Sequence, residues 1–121
     1  VIDIVNKYQI IICRNVLNFL VKNEALKILN DLRASVQKEG YIIIEVFTKN
    51  DPSFISDNKF NSYFAEQELL NLFSGYKLIY YLENIISDPG HPGFSNPHKH
   101  GVARIIIQKP LNELVGQGVD N

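Results

Sequence analysis

Two short apolar runs, Tyr8 to Cys13 (YQIIIC) and Tyr41 to Phe47 (YIIIEVF), bracket a segment with helical periodicity. The first run has no polar alternation after Gln9, which reads as a strand buried on both faces. Between the runs, Ala25, Leu29, Leu32 and Val36 fall at i, i+4, i+7 and i+11, one face of a helix expected over Glu24 to Gln37. Asn23 is its expected N-cap and Gly40 its C′ glycine. Strand, helix and strand in this order make a βαβ unit, with parallel strands and a right-handed crossover. The fold class that follows is α/β.

The rest of the chain extends the same sheet. Thr48 to Ser62 is a polar loop containing Pro52, and Tyr63 to Phe73 reads as a second helix ending near Gly75. Tyr76 to Leu82 and Val102 to Gln108 read as further strands. Between them, Glu83 to Gly101 holds three prolines, three glycines and all three histidines. A loop of that length inside a compact domain is usually functional or mobile. From Pro110 the pattern weakens, so the expected division is a domain over 1–109 and a fraying tail over 110–121. A total of 121 residues is room for one domain.

Charge and cysteine content exclude several functions. Twelve basic and 13 acidic side chains leave a net charge of −1, so no nucleic-acid partner is expected. Cys13 is the only cysteine, which forbids an intrachain disulfide or a cysteine-built zinc site. The apolar runs are too short to cross a bilayer and the start carries no signal pattern, so no membrane role is expected and the expected compartment is the cytoplasm.

A few residues carry chemistry. Glu45 interrupts an apolar strand. If Ile44 and Val46 face one layer, Glu45 faces the other with Ile43 and Phe47, either paired at the rim or open to a cleft. His98 and His100 have H-x-H spacing, which on a strand puts both rings on one side. With His91 they supply imidazoles for pocket lining, for general-base work or for a divalent cation. No metal ligand set is assigned at this point. Arg104 sits at the same rim and suits an anionic group. Cys13 reads as a buried inert thiol, Phe19 as core, and Lys49 and Lys59 as part of a loop shielding the cleft.

The order of these pieces resembles the second half of class I S-adenosylmethionine-dependent methyltransferases. The strand ends in Ile12-Cys13-Arg14-Asn15, followed by VLNFL, a helix, and KEGYIIIEVF. Val36-Gln37-Lys38-Glu39-Gly40-Tyr41 matches the family's "lkpgG" turn, with Glu39 in place of its first glycine. Tyr63-Phe64-Ala65-Glu66-Gln67-Glu68-Leu69 resembles the "yFa..EL...f" helix of the tellurite-resistance branch. Asp88-Pro89-Gly90-His91-Pro92-Gly93 and Pro97-His98-Lys99-His100-Gly101-Val102-Ala103-Arg104 resemble that branch's loop and last strand.

The resemblance implies a largely parallel Rossmann-like sheet, family strands four to seven, with an antiparallel terminal strand and without the family's first half. It implies methyl transfer from S-adenosylmethionine to a small-molecule nucleophile. Cys13, Arg14 and Asn15 would bind the donor, His91 and Arg104 the acceptor, and His98, His100 and Glu45 would act in catalysis. The family's glycine-rich donor cradle has no counterpart, because no GxGxG occurs. Strand Tyr8–Cys13 would then be an open apolar edge, pairing with a second copy as a homodimer or with a missing N-terminal half. Two alternatives follow: a non-catalytic remnant that binds a partner or dimerises, and a metal-binding protein using the histidine loop.

Overall fold

The computed structural model describes residues 7–56 and 60–112. Among them, β1 (Tyr8–Cys13), β2 (Val36–Phe47), β3 (Lys77–Asp88) and β4 (His98–Gln108) form one sheet in the order β1-β2-β4-β3. The helices are α1 (Lys22–Ser35) and the short α2 (Glu68–Leu72), preceded by a 3₁₀ turn at Leu17–Phe19. β1 and β2 are parallel, and β4 is antiparallel to both β2 and β3. Three strands therefore run one way, and the last strand in sequence runs against them between two of the others.

The core lies on one face of this sheet. Cross-strand pairs Ile42–Ile107, Ile44–Ile105 and Val46–Ala103 bury all six side chains. Ala25, Leu29 and Leu32 of α1 close over them, with Leu69 of α2 and the flanking Phe64 and Phe73. Period-two alternation sends Ile43, Glu45 and Phe47 to the other face, where they pair with Ile106, Arg104 and Val102.

Several boundaries differ from those expected. Helix α1 begins at Lys22 with Val21 as a cap that makes no side-chain bond, so Asn23 lies inside the first turn. It ends at Ser35, because Val36 already pairs with Tyr8. The β1–β2 register then jumps, since Ile10 pairs with Tyr41. Glu39 absorbs the resulting bulge at φ 66, and its N–H donates to the Lys109 carbonyl at 2.9 Å. Gly40 is thus a strand residue and not a helix terminator. A Cβ there would sit 2.7 Å from Val36 Cγ2 and 2.8 Å from the Gln9 carbonyl oxygen. The glycine lets β1 come close.

The second helix is shorter than Tyr63–Phe73. The Phe64 N–H donates to the Phe47 carbonyl at 2.8 Å, and the Lys49 N–H donates to the Phe64 carbonyl at 3.0 Å. These bonds hold Tyr63 and Phe64 extended. Gln67 adopts a left-handed conformation, and α2 starts only at Glu68.

The expected loop over Glu83 to Gly101 is mostly a β-hairpin. Pairing of β3 with β4 continues to Asp88 opposite His98, which leaves residues 89–97 as the tip. There His91 and Phe94 exchange backbone hydrogen bonds of 3.0 and 2.9 Å around Pro92 and Gly93. Proline followed by glycine at φ 96 is the signature of a type II turn.

Strand β1 forms one border of the sheet and bonds only to β2 among the described residues. Ile10 and Ile12 are 59% and 64% exposed, so the expected burial on both faces is not met. The open edge is present. Lys59 and residues 113–121, most of the expected tail, lie outside the described residues. No described helix is long and apolar enough to cross a membrane.

Candidate functional site

Because β4 runs against its neighbours, its first residues lie where β1, β2 and β3 end. The turn after β1, Glu45 and Phe47 of β2, Asp88 of β3, and His98 and His100 of β4 therefore meet. They surround a cleft of about 960 Å³. The carboxyl ends of strands are where open α/β sheets bind ligands.

Of the residues singled out in the sequence, Arg14, Asn15, Glu45, His91, His98, His100 and Arg104 all line this cleft. Cys13 does not. Its side chain is buried in the core, and desolvation pushes its thiol pKa up. Phe19, expected in the core, is 69% exposed and faces the cleft. Leu17 fills the core position in its place.

Glu45 is held by two arginines. Its side chain is 7% exposed, with Arg14 Nη2 3.7 Å from Oε1. Arg104 Nε donates to Oε2. A buried carboxylate with this pairing fixes both guanidinium groups at the cleft wall.

His100 is the most constrained imidazole. Its ring stacks on Phe47 at 4.5 Å and 21°. Its Nδ1 lies 3.0 Å from Asp51 Oδ1, and the Asp51 side chain has no exposure. Asp51 also accepts from the Gly101 N–H at 2.9 Å, from the Ser53 N–H at 2.9 Å and from the Ser53 hydroxyl. Burial by itself would raise the Asp51 pKa. The hydrogen bonds from Ser53, His100 and Gly101 outweigh it and hold the carboxyl below its usual range. A carboxylate only accepts, so His100 Nδ1 carries a hydrogen and Nε2 faces the cleft.

Asp88 anchors the other end. Its Oδ1 accepts from the Gly90 N–H at 2.8 Å. Its Oδ2 lies 3.3 Å from His98 Nε2, 3.8 Å from His91 Nε2 and 3.9 Å from His100 Nε2. The Gly90 N–H lowers its pKa most, and partial burial opposes that less strongly; the three imidazoles add to the lowering.

Asp51 and Asp88 escaped the sequence reading. Asp51 belongs to the polar loop and reaches Gly101 across 50 positions of chain. Asp88 opens an Asp-Pro-Gly run, which signals a turn and not a ligand. The only local hint was the placement of each acid at the end of an apolar strand or just beyond it.

The family model of tellurite resistance protein TehB matches residues 1–89. The chain belongs to the TehB family. The fold agrees with solved structures. TehB from Haemophilus influenzae aligns with a TM-score of 0.70 at 21% identity, over 86% of this chain and 36% of that one. A SAM-dependent methyltransferase from Methanosarcina mazei aligns at 0.61 and 15% identity, over 88% and 61% of the two chains. A structure concerned with conversion of a disulfide bond into a thioacetal group during echinomycin biosynthesis aligns at 0.60 and 9% identity, over 94% and 54%. Identities this low establish the fold alone. The chain spans about a third of the Haemophilus TehB and less than two thirds of the other two. No curated protein matches it. The sheet of this TehB-family chain is accordingly a partial class I methyltransferase sheet.

Proposed function

We propose that this TehB-family chain forms the acceptor-side wall of an S-adenosylmethionine-dependent methyltransferase that acts on a small-molecule nucleophile. The supporting observation is the meeting of Asn15, the Glu45-held arginines and the Asp51-oriented His100 in one cleft at the strands' carboxyl ends. The family's printed name, tellurite resistance, makes a chalcogen oxyanion the acceptor class to try first. Arg14 and Arg104 offer cationic faces to such a group.

The described residues fit one part of the donor. Arg14 and Asn15 give polar contacts for its amino-acid portion, next to the backbone of Cys13. The sequence has no GxGxG turn to hold the adenosine portion. When bound, the donor supplies an electrophilic methyl group on a sulfonium centre. The chain's own contribution is orientation and proton removal. His100 Nε2 accepts the proton of an acceptor that must lose one, and the Asp51 carboxylate stabilises the charged ring through Nδ1. Such a base is worth about 10²–10⁴ in rate. His98 lies against His100 and shares the task, with His91 contacting the acceptor. Glu45 acts by positioning Arg14 and Arg104.

Calorimetric titration of the purified chain with S-adenosylhomocysteine, at known oligomeric state, tests the reading. Micromolar binding at one site per chain would support the enzyme reading, with the adenosine portion held by something other than a GxGxG turn. No heat at millimolar ligand would overturn methyl transfer by this polypeptide alone.

The open β1 edge favours a second reading, a partner-binding or dimerising module. Exposed Ile10 and Ile12 would be covered by a strand from a second copy or from the remainder of a longer protein. Tight self-association without donor binding would select it.

A further inference from the structure

We infer that Asp88, His98 and His100 form a binding site for a divalent cation of the zinc class. The inference goes beyond methyl transfer and stands on the donor set alone; a bound cation would take the Nε2 lone pairs, so the metal-loaded chain would not use those atoms as a base.

The sheet brings the three side chains together. Asp88 and His98 are register partners across β3 and β4, and His100 follows two residues on, on the same face. One ligand atom from each residue lies within 4.8 Å of the others.

Proton placement makes the cluster a ligand set. His98 Nδ1 lies 2.8 Å from the Asn96 carbonyl oxygen, and His100 Nδ1 lies 3.0 Å from Asp51 Oδ1. His91 Nδ1 is 3.1 Å from the Pro92 carbonyl oxygen. Carbonyls and carboxylates only accept, so each Nδ1 is the donor and each ring turns its Nε2 outward. Those Nε2 atoms point at Asp88 Oδ2, at 3.3 Å from His98 and 3.9 Å from His100. With Nε2 deprotonated, as metal binding requires, acceptors face an acceptor, an arrangement that a cation between them satisfies. Histidine ligands of metals are typically tied at the far nitrogen in this way.

The distances agree. Ligands about 2.1 Å from a tetrahedral metal lie about 3.4 Å apart. Asp88 and His98 are already at that separation, at 3.3 Å; His100 Nε2 is 3.9 Å from Asp88 Oδ2, and all three ligand atoms lie within 4.8 Å of one another. Two imidazoles and one carboxylate suit zinc and its neighbours, not calcium or magnesium, which favour oxygen donors. His91 Nε2 also lies 3.8 Å from Asp88 Oδ2, at the wall of the same cleft.

Calorimetry of the full chain with zinc chloride, in a non-chelating buffer and without methyl donor, tests the site. One saturable site per chain is expected, with no heat from calcium chloride. His98→Ala combined with His100→Ala should weaken binding by more than about 100-fold, and Asp51→Asn, which touches none of the three ligands except His100, by about 10–100-fold. Circular dichroism verifies that the variants fold. Should they not fold, cobalt(II) added to the unsubstituted chain decides: an intense visible band of tetrahedral cobalt supports the site, and the weak spectrum of the hydrated ion overturns it. Absence of saturable zinc heat, or a double variant that binds like the parent, also overturns it. None of these outcomes bears on donor binding, so the two readings fail separately.

Discussion

Replacing Asp51 by alanine removes an acceptor on which four donors converge: the N–H groups of Gly101 and Ser53, the Ser53 hydroxyl and His100 Nδ1. The losses are unequal. The Gly101 N–H is buried and would be left unpaired, at about 1–3 kcal/mol. The Ser53 hydroxyl keeps a partner in the Tyr63 hydroxyl at 2.9 Å and so loses less. Removing the carboxylate also removes its own desolvation cost, which offsets part of the damage. The expected net destabilisation is about 3 kcal/mol at pH 5. The pH dependence follows from the lowered pKa. The folded carboxyl titrates below the ordinary 3.8, so near and below 3.8 the unfolded chain binds more protons than the folded one. The stabilisation is therefore complete above the unfolded value and disappears as pH falls through the folded one. Urea unfolding of both proteins in steps from pH 5 to 2.5 should show the gap between them narrowing. A loss under about 1 kcal/mol at pH 5, or a gap that stays constant in acid, would refute this account of Asp51.

Three further outcomes are expected. Ile12→Lys, at a position 64% exposed on the edge strand, should reduce self-association in sedimentation velocity while changing unfolding free energy by no more than about 0.5 kcal/mol. Gly101→Ala would place a Cβ 2.5 Å from the Asp51 backbone nitrogen and 2.7 Å from Thr48 Oγ1, so thermal unfolding should report a loss of about 1–3 kcal/mol. Cys13, buried and with its pKa raised, should react with a thiol reagent only slowly in the native chain and rapidly in denaturant.

The elements with strong periodicity were legible from sequence alone. The buried face Ala25, Leu29, Leu32 and Val36, the outward turn of Glu45, and the shared side of His98 and His100 all follow from counting residues. What failed depended on partners far along the chain. Gly40 looks like a helix terminator until Tyr8 is seen pairing with Val36. Tyr63 and Phe64 look helical until the backbone of Phe47 and Lys49 claims them. The apolar run of β1 announces a strand, but no local feature says how much of it is covered. Asp51 acquires its role only through Gly101 and His100, which the fold delivers from the opposite end of the sequence.

The position of β4 has a consequence for the order in which this protein can form during synthesis. Among the described strands, the last to leave the ribosome is the one that joins β2 to β3. Until residues 98–108 emerge, β2 can dock only on β1, and β3 waits without a neighbour, carrying Leu78, Ile79 and Tyr80. The nascent chain therefore holds an unpaired apolar strand while residues 89–108 are added. Such a segment is a natural target for ribosome-associated chaperones and for premature pairing between chains on one polysome. Insertion of β4 joins β2 to β3 and assembles the histidine cleft in the same event, so a nascent chain that has not reached residues 98–108 lacks the site.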